Sequence, residues 1–215
     1  MNEVILVDAG TGNLRSVQKA LESVGAAVTR TDDPGIVRAG KRVVLPGVGA
    51  FADARASLSA KGLDDAVLAG LDAGRPYLGL CLGLQLLFTE ADEHGVTPGF
   101  GRFAGRVERF PDHAPGGERL LVPHIGWNEV RWAREGARHP MLAALPARDH
   151  YYFVHSYRAV PAEAGDVVGW TEYGGDFAAA VAKERIFAVQ FHPEKSQGAG
   201  KRLLDAFAQW VAACR

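Results

Sequence analysis

The residues best suited to chemistry fall in two short stretches, GLCLG at 79–83 and QFHPEKS at 190–196. The first sets Cys81 between Gly79 and Gly83, where the apolar run PYLGLCL turns into the helix-like run LQLLFTEA. This is the layout of a nucleophile elbow with Cys in place of Ser, a sharp strand–turn–helix whose glycines remove side chains that would clash. A cysteine so placed sits at a helix N-terminus, where the dipole favours thiolate over thiol. The N–H of Leu82 faces the same space and is a candidate oxyanion donor. The competing reading is an inert core cysteine, a common role for a free Cys.

The second stretch supplies what a thiol nucleophile needs. His192 and Glu194 stand two residues apart at the end of the apolar strand IFAVQF (186–191), with Pro193 fixing the backbone between them. A Cys nucleophile requires a base, and the base requires an acceptor that sets its tautomer and orientation. Cys81, His192 and Glu194 fill those three roles. Zinc is the rival use of Cys and His, but two distant cysteines and no paired His or Cys spacing argue against a metal. Two glycine-bearing loops join these stretches. LPGVGAF (45–51) ends a strand and can turn backbone N–H groups towards a neighbouring site. DAGTGN (8–13) has the place of a dinucleotide fingerprint, yet the third small position is Arg15, so no such cofactor is expected. Asn13 can cap the helix that follows.

The elements that must position these residues follow from periodicity. EVILVD (3–8), AAVTR (26–30), KRVVLP (41–46) and PYLGLC (76–81) read as buried strands. Leu14, Val17, Leu21 and Val24 share one face of a helix between the first two, and further helical segments separate the last two. Strands alternating with helices predict an α/β fold, an open and mostly parallel sheet covered on both faces. In such a sheet, functional groups gather beyond the carboxyl ends of the strands. Residues 104–131, 150–158 and 166–191 hold more strands and fewer helices, which predicts an antiparallel or mixed extension. A last helix over about 199–213 carries the stripe Leu203, Leu204, Phe207, Trp210 and Val211. DHAPGGE (112–118) reads as a surface loop, so residues 1–215 are expected to form a single domain.

Composition narrows the class. The chain is 47% hydrophobic and 23% charged with net charge -1. Nothing in that balance favours nucleic acid or an anionic membrane. The start leads straight into a strand with no basic-then-apolar leader, which predicts a cytoplasmic protein. Cys81 and Cys214 are not expected to pair in a reducing compartment.

Together these motifs resemble the class I (triad-type) glutamine amidotransferases, whose sheet is flavodoxin-like. DAGTGNL (8–14), PGVGAF (46–51), CLGLQLLF (81–88), PHIGWN (123–128), YFVHSY (152–157) and HPEKSQ (192–197) carry the likeness in order along the chain. PHIGWN and HPEKSQ resemble most the branch that serves imidazole glycerol phosphate synthesis in histidine biosynthesis. The resemblance implies a glutaminase domain over 1–215 that releases ammonia to a TIM-barrel cyclase partner. It implies Cys81 as nucleophile, His192 as base and Glu194 as orienting carboxylate. Val48 and Leu82 become oxyanion donors, and Gly49, Gln85, Ser156 and Tyr157 glutamine contacts. Asn13, Trp127 and Tyr152 would face the partner, the competing reading of the two aromatics being core. Ala9 departs from the family pattern, where Tyr is common. The alternatives are a glutaminase subunit of the anthranilate type, whose members usually carry His where this chain has Leu84, or of the aminodeoxychorismate type, and a non-catalytic regulatory protein of the same fold.

Overall fold

The computed structural model describes residues 3–10, 12–133 and 139–214. The first half alternates as expected: β1 (Glu3–Val7), α1 (Leu14–Glu22), β2 (Ala27–Thr31), α2 (Pro34–Ala39), β3 (Val43–Gly47), α3 (Phe51–Ala60), α4 (Leu63–Asp72) and β4 (Tyr77–Cys81). Local chemistry starts the first two helices. The Asn13 side chain accepts the Ser16 N–H, and Asp33 caps α2 ahead of Pro34 at its first position. Every residue of β3 and β4 is buried, as parallel strands covered on both faces require. β2 is only half-buried, contrary to the sequence reading, because it is the edge strand of its sheet.

The second half adds α5 (Leu82–Gln85), β5 (Phe88–Asp92), β6 (Val96–Pro98), β7 (Phe103–Arg109), β8 (His124–Trp132), β9 (Arg148–His155), β10 (Tyr157–Pro161), β11 (Val167–Glu172), β12 (Asp176–Lys183), β13 (Ile186–Val189) and α6 (Gln197–Ala213). One nine-stranded sheet runs β2-β1-β3-β4-β13-β12-β11-β8-β9, parallel from β2 to β13 and antiparallel beyond. The remaining strands form a second sheet, β10-β7-β5-β6. Successive residues of β1 serve opposite faces. Val4 and Leu6 pack with α1 and α6, whereas Ile5 and Val7 pack with α3 and α4.

Two expectations about the site's supports need correction. The helix-like run after Cys81 stops at Gln85, and Phe88–Asp92 is a strand. The strand before His192 ends at Val189, so the His-Pro-Glu segment lies on a 3₁₀ turn, Pro193–Lys195, and not at a strand tip. The pairing of β13 with β4 then matters most. Val189 lies opposite Leu80, which brings the residues that follow β13 alongside Cys81.

Candidate active site

Cys81 closes β4 with φ 53° and ψ -104°, a conformation that costs a non-glycine residue roughly 1–3 kcal/mol. The surroundings enforce it. A Cβ on Gly83 would stand 1.9 Å from the Leu45 carbonyl oxygen, and one on Gly79 would stand 2.5 Å from that of Gly83. The Tyr77 hydroxyl donates to the Gly83 carbonyl at 2.8 Å, and burial pushes this phenol far up, so it stays a donor. The elbow is therefore tied to the strand that carries it. With only four residues in α5, the helix-dipole effect anticipated from sequence shrinks to that of a few backbone N–H groups.

The imidazole of His192 donates from Nδ1 to Glu194 Oε1 at 2.8 Å, and both side chains are buried. Its Nε2 makes no hydrogen bond of ordinary geometry and is left for the Cys81 thiol. Burial alone would pull this imidazole down, but hydrogen bonding and charge at the Cys81 sulfur and the Glu194 carboxylate outweigh it and raise it to about 10. His192 therefore carries a proton at neutral pH. The turn itself is pinned from two sides. His192 N–H donates to the Tyr152 carbonyl at 3.0 Å, while the Ser196 hydroxyl donates to the His192 carbonyl at 2.7 Å and accepts the Tyr152 N–H at 2.9 Å. α6 packs directly on the turn, since a Cβ on Gly200 would meet the Pro193 carbonyl oxygen at 1.8 Å.

A cavity of about 480 Å³ opens onto these groups. Cys81, His192, Val48, Gly49, Leu82, Gln85, Ser156 and Tyr157 all line it, so most of the residues singled out in the sequence meet in one place. Glu194 stands behind His192, beside a small hollow that Asn13 also borders. Trp127 and Tyr152 lie directly opposite each other on β8 and β9, rings edge-on at 6.1 Å, away from the cavity. Trp127 is 45% exposed and Ile125, on the same face of β8, 58%. The core reading of Trp127 is thus excluded. Ala9 is buried in the core beside α3. In the loop that contains it, Gly10 (φ 84°) and Gly12 (φ 102°) take positive φ, which explains those glycines without any cofactor, and Thr11 lies outside the described residues.

Several residues at the site were given no role from the sequence; Glu93 lies outside its motifs, whereas Lys195, His124, His155 and Gln190 lie within them. Glu93 lines the cavity while its carboxylate accepts the Phe51 N–H at 2.6 Å, and Lys195 borders the same space. The buried histidines His155 and His124 form a pair whose tautomers can be assigned. His155 Nδ1 faces the Tyr157 carbonyl at 2.7 Å and must carry the proton, so its Nε2 accepts from His124 Nδ1 at 3.2 Å. Burial, chiefly, pulls His155 down to about 3 and lowers His124 as well, so both stay neutral. Gln190, fully buried, donates to the Cys81 sulfur. Among the described residues, no group of three or more His, Cys, Asp or Glu is placed to hold a metal ion, and no helix is long and apolar enough to cross a membrane.

A thiol on a strained elbow, beside a buried imidazolium held by a carboxylate, defines an apparatus for acyl transfer. The chain belongs to the class-I glutamine amidotransferase family, whose model matches residues 5–210. It is 48% identical over 214 residues, covering 98% of this chain and 97% of the relative, to "Imidazole glycerol phosphate synthase subunit HisH" of Methylococcus capsulatus. It is 50% identical over 212 residues to the protein of the same name from Dechloromonas aromatica, covering 96% of each. Among solved structures it is similar to one titled "Crystal structure of glutamine amidotransferase" (TM-score 0.73, 20% identity, 97% of this chain and 99% of that one). It is similar in fold also to a chain of "Structure of PurLQS from Thermotoga maritima" (TM-score 0.72, 17% identity, 98% and 99% covered).

Proposed function

We propose that the chain, acting as one glutaminase unit over 1–215, hydrolyses glutamine to glutamate and ammonia and passes the ammonia to a TIM-barrel cyclase subunit making imidazole glycerol phosphate. The observation that carries this reading is the single cavity in which Cys81 and His192 meet, with Glu194 behind the imidazole. The names of relatives nearly half identical over almost the whole chain support the choice of branch. A biosynthetic role of this kind supports a cytoplasmic location.

In this reading the Cys81 sulfur attacks the side-chain amide carbon of glutamine, and the backbone N–H groups of Val48 and Leu82 receive the oxyanion. One such donor contributes on the order of 100- to 1000-fold in rate. The His192 imidazolium gives its proton to the departing nitrogen, so ammonia leaves and a thioester remains. The now neutral imidazole takes a proton from water, whose oxygen attacks the thioester, and glutamate departs as the thiolate is restored. Glu194 holds the imidazole without exchanging its own proton. Gly49, Gln85, Ser156 and Tyr157 cradle the substrate. Glu93 and Lys195 bring opposite charges to the same cavity, matching the zwitterion of a free amino acid. Asn13, Trp127 and Tyr152 form the partner face; exposed Ile125 beside Trp127 gives it an apolar centre.

The test is glutamate release from glutamine by the purified chain, measured alone and with the candidate barrel subunit. Slow release alone, accelerated by the barrel, is the expected outcome. No glutamate under either condition would overturn the assignment.

A further inference from the structure

We propose that Gln190 is a further catalytic residue of the glutaminase, its side-chain amide serving as a fixed neutral donor to the sulfur of Cys81; this rests on the function proposed above. Gln190 Nε2 lies 3.5 Å from Cys81 Sγ, although the two residues are 109 positions apart in the chain. Gln190 is fully buried between Val189 and Phe191. An amide in such surroundings is costly unless its hydrogen bonds are made. Its backbone N–H is spent on the Ala179 carbonyl at 2.8 Å, which leaves the side chain to find partners of its own.

Those partners fix which end of the amide faces the sulfur. The Tyr157 carbonyl can only accept, so the group 3.0 Å from it on Gln85 is the NH₂. The same Gln85 nitrogen lies 3.1 Å from the other amide, and a donor there demands the oxygen of Gln190. Gln190 therefore turns its NH₂ to Cys81. Each link orders the next, from the main chain at Tyr157 through two amides to the nucleophile. His155 donates to the same Tyr157 carbonyl and braces the start of the series.

The chemical consequence concerns the sulfur's charge. A donor bonds an anionic sulfur more strongly than a neutral one, so the amide favours thiolate. Gln190 carries no charge and takes no proton, so it does not compete with His192. The bond is strongest whenever the sulfur is anionic, both before attack and as the thiolate departs from the thioester. The titratable groups around Cys81 are His192, His155, Tyr157, Glu93 and Lys195, all on the cavity wall and none altered by replacing Gln190.

The experiment follows alkylation of Cys81 by iodoacetamide against pH, in the full chain carrying Cys214→Ser. Gln190→Leu should move the midpoint of the rate profile up by about one pH unit. Gln85→Leu, which leaves Gln190 present but unanchored, should move it the same way by less. A purely structural role would shift the unfolding midpoint and leave the alkylation profile in place. An unchanged profile in either folded variant overturns the proposal, and Gln85→Leu decides the matter if Gln190→Leu does not fold. The readout uses no glutamine, so failure of the parent chain to release glutamate would defeat the functional reading and not this one.

Discussion

The backbone N–H of His192 donates to the carbonyl of Tyr152, and the ring of Tyr152 stands edge-on to the exposed Trp127. The candidate base is therefore fastened to the strand that builds the proposed partner face. The link is made by main chain, so truncating an aromatic side chain does not cut it. Trp127→Ala should leave glutamate release by the isolated chain unchanged and weaken association with the barrel subunit by about 30-fold, the scale of a central aromatic anchor. Titration calorimetry and a glutaminase assay on the same preparation measure both. Equal affinity in the variant would remove Trp127 from the interface.

The elbow glycines set a second test. Gly83→Ala pushes a methyl group against the Leu45 carbonyl and should destabilise the chain by about 3 kcal/mol, while slowing Cys81 alkylation. Gly165→Ala is the control, because no atom lies within 4 Å of its added Cβ. Urea unfolding of the two variants should separate them clearly, with the control within about 0.5 kcal/mol of the parent.

Glu194→Gln keeps the shape of the carboxylate and removes its charge from His192 Nδ1. We expect kcat to fall on the order of 100-fold, less than for loss of Cys81 itself. The imidazole should also give up its proton at lower pH, since one of the groups that raises it is gone. The proton resonances of His192, followed by NMR across pH, report this directly.

In the assembled complex, Cys81→Ala should abolish glutamine-dependent synthesis and spare synthesis from an ammonium salt, because free ammonia enters after the thiol has acted. Loss of both activities in a folded, partner-bound variant would contradict the division of labour.

The pH dependence of stability has two limbs of opposite cause. Burial holds His155 at about 3 and His139 at about 4, against about 6.5 in the unfolded chain. Below pH 6.5 the unfolded chain binds protons that these sites refuse, so stability is lost as pH falls towards those values. His192 is raised instead, so its contribution is complete below about 6.5 and is lost as pH climbs towards 10. The urea midpoint should peak near pH 6.5, and His192→Ala should flatten the alkaline limb alone.

The candidate triad was legible because its residues are compressed into two motifs, and the parallel half because its strands and helices alternate with clean periodicity. The length of α5 was not legible. Leu86, Leu87 and Phe88 are apolar in succession, a pattern that fits helix and strand alike. Their carbonyls are taken by the N–H groups of Phe100, Arg102, Phe103 and Gly101, which a continuing helix would have left unserved. The roles of Gln190, although it opens the QFHPEKS stretch, and of Glu93 went unread for a related reason. Each is an ordinary residue whose meaning comes from a partner far along the chain, Cys81 for one and the Phe51 N–H for the other.

The insertion of β13 between β4 and β12 orders events during synthesis. The elbow with its cysteine leaves the ribosome first, and at 5–20 residues per second the candidate base follows roughly 5–20 s later. Until β13 seats against β4, the thiol has neither imidazole nor amide beside it. A nascent or truncated chain that stops short of Ile186 thus carries the candidate nucleophile in silence. Turnover begins only when the sheet has received its central strand, which makes glutaminase activity a report on complete folding.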